Sequence, residues 1–250
     1  NEAIFSFKIV LKRYEPFGLS ICRRVPAVLL SRPDTITGDI RTQFGPILEA
    51  IRNSGVTSVH EILSIAQSRN PLDWLSLVIL LDKITRNSYR ERLCFTYFDP
   101  LAQQLSLEAI KRGIPDTAPE IRWVFLHRNS LNMPLMHSED LPAQIKAGLE
   151  FEQMNQDMLS LVEETGVADE YEKRARDVVQ ADPEAAKKMG EIDREFEENH
   201  LMIIEKFGWY PHRNQALGRE LTLEEIEFLQ NGGDTFGSQG GAMQGFRIST

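Results

Sequence analysis

Apolar residues recur at intervals of three and four along most of this chain, and that period predicts helices. After Pro71, the residues Trp74, Val78, Leu81 and Thr85 make one stripe, with Leu77, Leu80 and Ile84 beside it. A helix apolar over so much of its girth belongs at the centre of a core. Leu101, Leu105 and Ala109 repeat the pattern on a shorter, half-exposed helix. The segment 141–164 carries Ile145, Leu149, Met154, Met158 and Leu161, and the segment 183–207 carries Ile192, Phe196, Ile203 and Phe207. No run alternates apolar and polar residues with β-branched enrichment, so strands are expected to be few or absent and the fold class is all-α.

The punctuation agrees. Proline stands just inside the first turn of four expected helices, at Asn70-Pro71, Asp99-Pro100, Ala118-Pro119 and Asp182-Pro183, where its missing N–H costs nothing and Asn or Asp can cap. Ser58 with Glu61 and Thr222 with Glu225 have capping-box spacing. Gly113, Gly166, Gly208 and Gly232 follow periodic segments and mark stops. Helices of this length joined by short turns favour antiparallel neighbours, in a bundle or in stacked pairs. Residues 36–231 read as a single all-α domain behind a divergent segment 1–35. From 232 to 250 the composition turns to Gly, Ser and Gln, including Gly237, Gly240, Gly241 and Gly245. Such a tail buries too little apolar surface to order itself. Its glycines follow no strand and give no nucleotide-binding fingerprint.

Composition narrows the function classes. With 250 residues, 42% of them hydrophobic, the chain builds a core without staples. Its 37 acidic and 28 basic residues leave a formal charge of −9, against nucleic acid or an anionic membrane as the main partner. The acidic stretch from Glu163 to Asn199 reads as a solvated helix face. The only cysteines, Cys22 and Cys94, lack a CxxC spacing and read as reduced thiols. No apolar run approaches the roughly 18 residues of a membrane span and no targeting segment is evident, so a cytoplasmic protein is expected. Oligomeric state is not legible.

Four polar clusters interrupt the apolar pattern. Asp82 and Arg86 lie four apart on one helix face at the edge of its apolar stripe, followed by Asn87. The spacing fits either a helix-stabilising ion pair or an arginine fork held by Asp82 toward a carboxylate or phosphate. In Pro134-Leu135-Met136-His137-Ser138-Glu139-Asp140, the proline is expected to end one helix while Ser138, Glu139 and Asp140 open the next. Capping does not explain His137, which beside two carboxylates has the makings of a general base with its orienting partner. His200, one turn before Ile203 and Ile204, fits a hydrogen-bonded core residue. His212-Arg213-Asn214, after Gly208 and Pro211, puts three hydrogen-bonding groups on one turn, suited to binding a ligand or to latching helix ends. A metal would need His137, His200 and His212 to converge without the spacing that usually marks such sites, so neither metal nor cofactor is expected. Ser138 lacks a nucleophile elbow, and Cys94 lacks a local partner.

The order Ile40-Arg41, Phe44-Gly45, Leu80-Leu81-Asp82, Arg86-Asn87, Asp99-Pro100-Leu101-Ala102, His137-Ser138-Glu139-Asp140-Leu141, His200, Phe207-Gly208, Pro211-His212-Arg213-Asn214 and Leu217-Gly218-Arg219 resembles a family of bacterial and fungal proteins of unknown function. That family is the domain of unknown function numbered nine hundred and twenty-four. The resemblance spans about residues 36 to 230 and implies a tetratricopeptide-like, right-handed α-α superhelix of antiparallel helix pairs; it brings no activity with it. The chain departs from the family pattern in places. The family's Asp-Gln-Phe-Pro-Arg-Asn stands here as Asp82-Lys83-Ile84-Thr85-Arg86-Asn87, without the proline turn. One arginine has become Trp209, and the Trp-Phe-Gly opening is missing from residues 1–35. Either Arg122 or Arg128 answers to a further family arginine.

Together these readings lead to one expectation. Arg86 and Arg213 clamp a small anionic molecule in a groove, Asn87 and Asn214 orient it, and His137 or His212, with Glu139, moves protons. Asp82 fixes Arg86, and Arg122, Asp140 and His200 complete the binding set. Hydrolysis, isomerisation and elimination all suit such a site. The alternative is a non-catalytic helical module that holds a peptide or partner protein, its polar clusters serving as helix-end latches.

Overall fold

The computed structural model describes residues 33–89 and 92–236, and of residues 33–41 and 43 the backbone alone. Expectations for Cys22, for the segment before residue 33 and for the glycines beyond 236 lie outside the described residues. Within them the chain is all-α, with no strand. The helices are α1 (Pro33–Ser54), α2 (Val59–Ala66), α3 (Pro71–Ile79), α4 (Thr85–Ser88), α5 (Asp99–Lys111), α6 (Ile114–Thr117), α7 (Pro119–Arg122), α8 (Phe125–Met136), α9 (Leu141–Ser160), α10 (Glu170–Ala181), α11 (Pro183–Phe207), α12 (Asn214–Leu217) and α13 (Leu223–Gln230). A π-helical turn, Leu80–Ile84, joins α3 to α4, and a second, Cys94–Phe98, runs into α5.

Local chemistry sets most boundaries. Asn70 and Asp182 cap α3 and α11 with proline in the first turn, and both capping boxes form, at Ser58/Glu61 and Thr222/Glu225. Gly113, Gly208 and Gly232 take left-handed backbone angles at helix ends, which a side chain would resist. Three boundaries differ from expectation. Gly166 closes no helix, because α9 already ends at Ser160. Pro134 lies inside α8 rather than ending it; so near the C-terminus its ring removes one backbone bond and the last turn still closes. Asp99 caps nothing, because helix already runs into it through Cys94–Phe98.

The stripe of α3 is the centre of the larger core. Leu75, Val78 and Leu81 pack with Leu48 and Ile51 of α1, Ile62 of α2, Leu101 and Leu105 of α5 and Leu131 of α8. Each such side chain stabilises the fold by about 1.5–3 kcal/mol. Further along, α8, α9 and α11 run antiparallel to their neighbours. Arg128 meets Asp157 and Met136 meets Gln144 across the first pair, while Asn155 meets Gly190 and Glu152 meets Arg194 across the second. Small residues permit the close approach of α9 and α11: a Cβ on Gly148 would stand 3.0 Å from the Glu197 carboxylate. The buried face of α9 runs through Ala147, Phe151, Met154 and Met158. Ile145 and Leu149, and on α11 Ile192 and Phe196, instead lie exposed, on stripes flanking the packed faces. Among the described residues no helix is long and apolar enough to cross a membrane.

Candidate functional site

Four parts of the chain meet at one end of these helices: the turn Leu80–Ile84 with α4, the start of α5, the α8–α9 connection, and the turn after α11. Asp82 sits at the bottom, 3% exposed. Its Oδ1 accepts from His137 Nδ1 at 2.7 Å and from Arg86 Nε at 3.0 Å. The far end of the Arg86 guanidinium donates to Asp99 Oδ2 at 2.8 Å, so one arginine bridges two carboxylates. Arg213, 5% exposed, donates to the backbone carbonyl of His137 at 3.0 Å. It lies 3.8 Å from Asp99 Oδ2 and 3.9 Å from Glu139 Oε1, with its guanidinium over the rings of Tyr210 and Phe95. Glu139 reaches outward to Arg219 and accepts from the Tyr210 backbone N–H at 3.1 Å.

A second tier of bonds fixes the imidazole's backbone. Gln144 Nε2 lies within hydrogen-bond distance of the carbonyls of Met136 and Ser138 and of the Tyr210 hydroxyl, which itself donates to Met136. Tyr210 is fully buried, so these bonds answer groups that water cannot reach. His200 is buried and its Nδ1–H donates to the Phe196 carbonyl at 2.7 Å. Its ring stands 6.4 Å from that of His137 and 5.8 Å from that of Tyr210. His212 is 5.5 Å from the Tyr210 ring, and its Nδ1 is buried with no hydrogen-bond partner.

Electrostatics sort these groups. Burial works to raise the Asp82 pKa, but His137 and Arg86 outweigh it and hold the carboxylate ionised, well below its ordinary range. For His137, burial and then the Arg86 charge push the pKa down more than Asp82 lifts it, so the imidazole is neutral at pH 7. Its Nδ1–H is committed to Asp82, which leaves Nε2 as a free lone pair. Burial also lowers His200 and His212 to about 3, and Arg213 and Arg86 add to the effect at His212. Cys94, between Thr85 and Asp99, is pushed up to about 12, first by burial and then by Asp99; its thiol stays protonated and unreactive.

Folding therefore draws together Asp82, Arg86, His137, Glu139, His200, His212 and Arg213. It does not bring in the rest. Asp140 accepts from the Ala143 backbone and caps α9. Asn214 is fully buried and donates to Glu225 rather than to this cluster. Asn87 is half-buried beside Arg86 in sequence and joins none of these bonds. Arg122 and Arg128 both bind Asp157, with Arg128 also on Asp116. Asp157 lies about 20 Å along α9 from Gln144; Arg122 is thus part of a separate cluster, pinned by its own carboxylate. The orienting carboxylate of His137 is Asp82, not its sequence neighbour Glu139. Sequence spacing does not mark Asp99, Tyr210, Arg219 or Gln144 as members of the site. Asp99 has the local sequence of a helix cap, and Arg219 follows the family's Leu-Gly pair with no partner nearby in the chain.

An open cleft of about 430 Å³ lies between the end of α11 and α13, lined by Lys206, Glu224, Glu227, Phe228 and Asn231. It contains none of the clustered residues, and of its charges Lys206 pairs with Glu224 at 3.1 Å. Among the described residues no group of three or more His, Cys, Asp and Glu is placed to hold a metal ion.

Comparison with known proteins gives two matches. Residues 26–233 match the model of a family described as a bacterial protein of unknown function, DUF924. The solved structure of a protein of unknown function from Agrobacterium tumefaciens is similar at 22% identity and a TM-score of 0.46, over 80% of this chain and the whole of that one. No curated protein matches. With its match extending over most of the chain, this protein belongs to the DUF924 family.

Proposed function

We propose that the cluster binds a small anionic molecule and that His137 acts on it as a general base, in hydrolysis, isomerisation or elimination. The observation that carries this reading is the 2.7 Å bond from His137 Nδ1 to the buried Asp82 carboxylate. That bond selects the tautomer, aims the ring and strengthens Nε2 as an acceptor. The side chain remains 15% exposed, so part of the ring is open to solvent. Arg86, 19% exposed at its side chain, lies on the same carboxylate. Arg213 lies in the same cluster, its Nε buried without a hydrogen-bond partner, and its planar fork suits a carboxylate or phosphate.

The contrary reading, a set of helix-end latches, draws on the mutual neutralisation of Asp82, Asp99 and Glu139 by Arg86, Arg213 and Arg219. Nitrogen-detected NMR of the histidines separates the two. Titration with inorganic phosphate and with malonate is expected to move the His137 Nε2 resonance, and Arg213→Lys, which keeps the charge and loses the fork, is expected to weaken binding about tenfold. Anions that leave every histidine resonance and the melting temperature where they were would overturn the proposal in favour of latches.

A further inference from the structure

Past Gly232 and Gly233 the chain folds back on α11 and sets Phe236 on the face of His200, ring centroids 3.5 Å apart and planes 19° from parallel. Phe196 meets the same ring edge-on at 5.5 Å, Tyr210 at 5.9 Å and His212 at 6.2 Å. Phe236 thus sits in a box with a flat floor and three aromatic walls, although its stretch of sequence reads as part of an unstructured tail. It does so at a backbone φ of +49°, a left-handed conformation that a bulky side chain adopts at a cost. In one of the walls the His212 Nδ1 atom is buried without a partner. Phenylalanine has no polar atom to offer it, so the present occupant leaves one wall unsatisfied.

We infer that Phe196, His200, Tyr210 and His212 form a subsite for a planar aromatic ring, which Phe236 fills from within the chain and which the ring of a small aromatic anion takes in its place. The inference rests on the proposed anion site and narrows its ligand to an aromatic carboxylate or phosphate monoester. Tyr210 is the shared wall: Phe236 meets it edge-on, while the Arg213 guanidinium lies 4.3 Å from the centre of its ring. One molecule with a ring and a short acidic arm spans both. Flat rings gain from stacked and edge-on partners in a way that saturated rings of equal size do not. A polar ring atom facing His212 would also supply the partner that Phe236 lacks.

Phenyl phosphate, inorganic phosphate and the pair benzoate and cyclohexanecarboxylate are the probes, used by calorimetry on the full chain. Phe236→Ala vacates the box and is expected to bind phenyl phosphate about tenfold more tightly than the wild type, with inorganic phosphate unchanged. Benzoate is expected to gain and cyclohexanecarboxylate not. Equal phenyl phosphate affinity in the variant and the wild type overturns the subsite, and the anion site survives if inorganic phosphate still binds in an Arg213-dependent way. A gain for phenyl phosphate that Arg213→Lys leaves intact supports the subsite and removes the anion clamp instead. The wild type gives an independent readout. The His200 ring protons lie in the ring current of Phe236 and are expected to shift when phenyl phosphate displaces it; resonances that stay fixed while phenyl phosphate binds refute the displacement.

Discussion

Acidification from pH 7 to pH 5 tests the burial of the histidines directly. His200 and His212 are held near 3 in the folded protein, against an ordinary value of 6.5. Their pKa values are depressed on folding, so below about pH 6.5 the unfolded chain takes up protons that the native state refuses. Stability therefore falls as pH falls, and rises with pH up to the ordinary histidine range. One refused proton is worth about 1.36 kcal/mol per pH unit, and two about 2.7 kcal/mol per unit, in the window from roughly pH 6 to pH 4. His137 and His127, also shifted down by burial, act in the same direction. Over the two units from pH 6 to pH 4 such a slope removes about 5 kcal/mol, a large part of the roughly 5–15 kcal/mol that holds a domain folded. Urea denaturation at half-unit steps measures it, and the same series on His200→Phe with His212→Phe is expected to lose most of the slope. A wild-type slope under half of the expected value, or one the double substitution leaves intact, would refute the argument. So would histidine resonances at these positions that titrate near 6.5 in the folded protein.

Two further substitutions separate structure from site. Arg128→Ala strands the buried side of Asp157 and is expected to cost about 3–5 kcal/mol by urea denaturation, while anion titration of the His137 resonance proceeds as in the wild type. Tyr210→Phe removes one of the two donors on the Met136 carbonyl, Gln144 keeping the other, and is expected to cost about 0.5–1.5 kcal/mol; because that hydroxyl holds the backbone beside His137, a changed His137 pKa should accompany the loss.

What the sequence disclosed and what it hid divide along range. Caps, proline starts and the i,i+4 spacing of Asp82 with Arg86 are contacts within a turn or two, and periodicity finds them because helix geometry fixes who is near whom. The partner of His137 could not be found that way. Glu139 and Asp140 were its nearest acids in the chain, yet folding turns them toward Arg219 and the α9 backbone and presents Asp82, 55 positions away, in their place. Asp99 misled for the same reason: Asp-Pro is a good helix start locally, but helix already occupied the preceding turn. Arg122 and Arg128 are alternatives for one role by sequence, and both share the carboxylate of Asp157, a pairing across helices that spacing along one chain does not encode. Ile145, Leu149, Ile192 and Phe196 show the complementary limit. An apolar stripe identifies a helix, but which flank of it packs depends on neighbours the period cannot see.

The wider winding at Leu80–Ile84 and Cys94–Phe98 bears on how such a protein changes over generations. Each π turn amounts to one residue more than a regular helix would hold over the same stretch, as though a single codon had been slipped in without lengthening any loop. Everything downstream of it is rotated about 100° relative to everything upstream, and that rotation lets one helical run show leucines to the interior before it and Asp82 and Arg86 to His137 through it. Losing one position there would keep the helix and its hydropathy almost unaltered, yet would aim the acid and the arginine at the wrong neighbours. Relatives that differ by one residue in this stretch can therefore share a scaffold while having parted ways in chemistry.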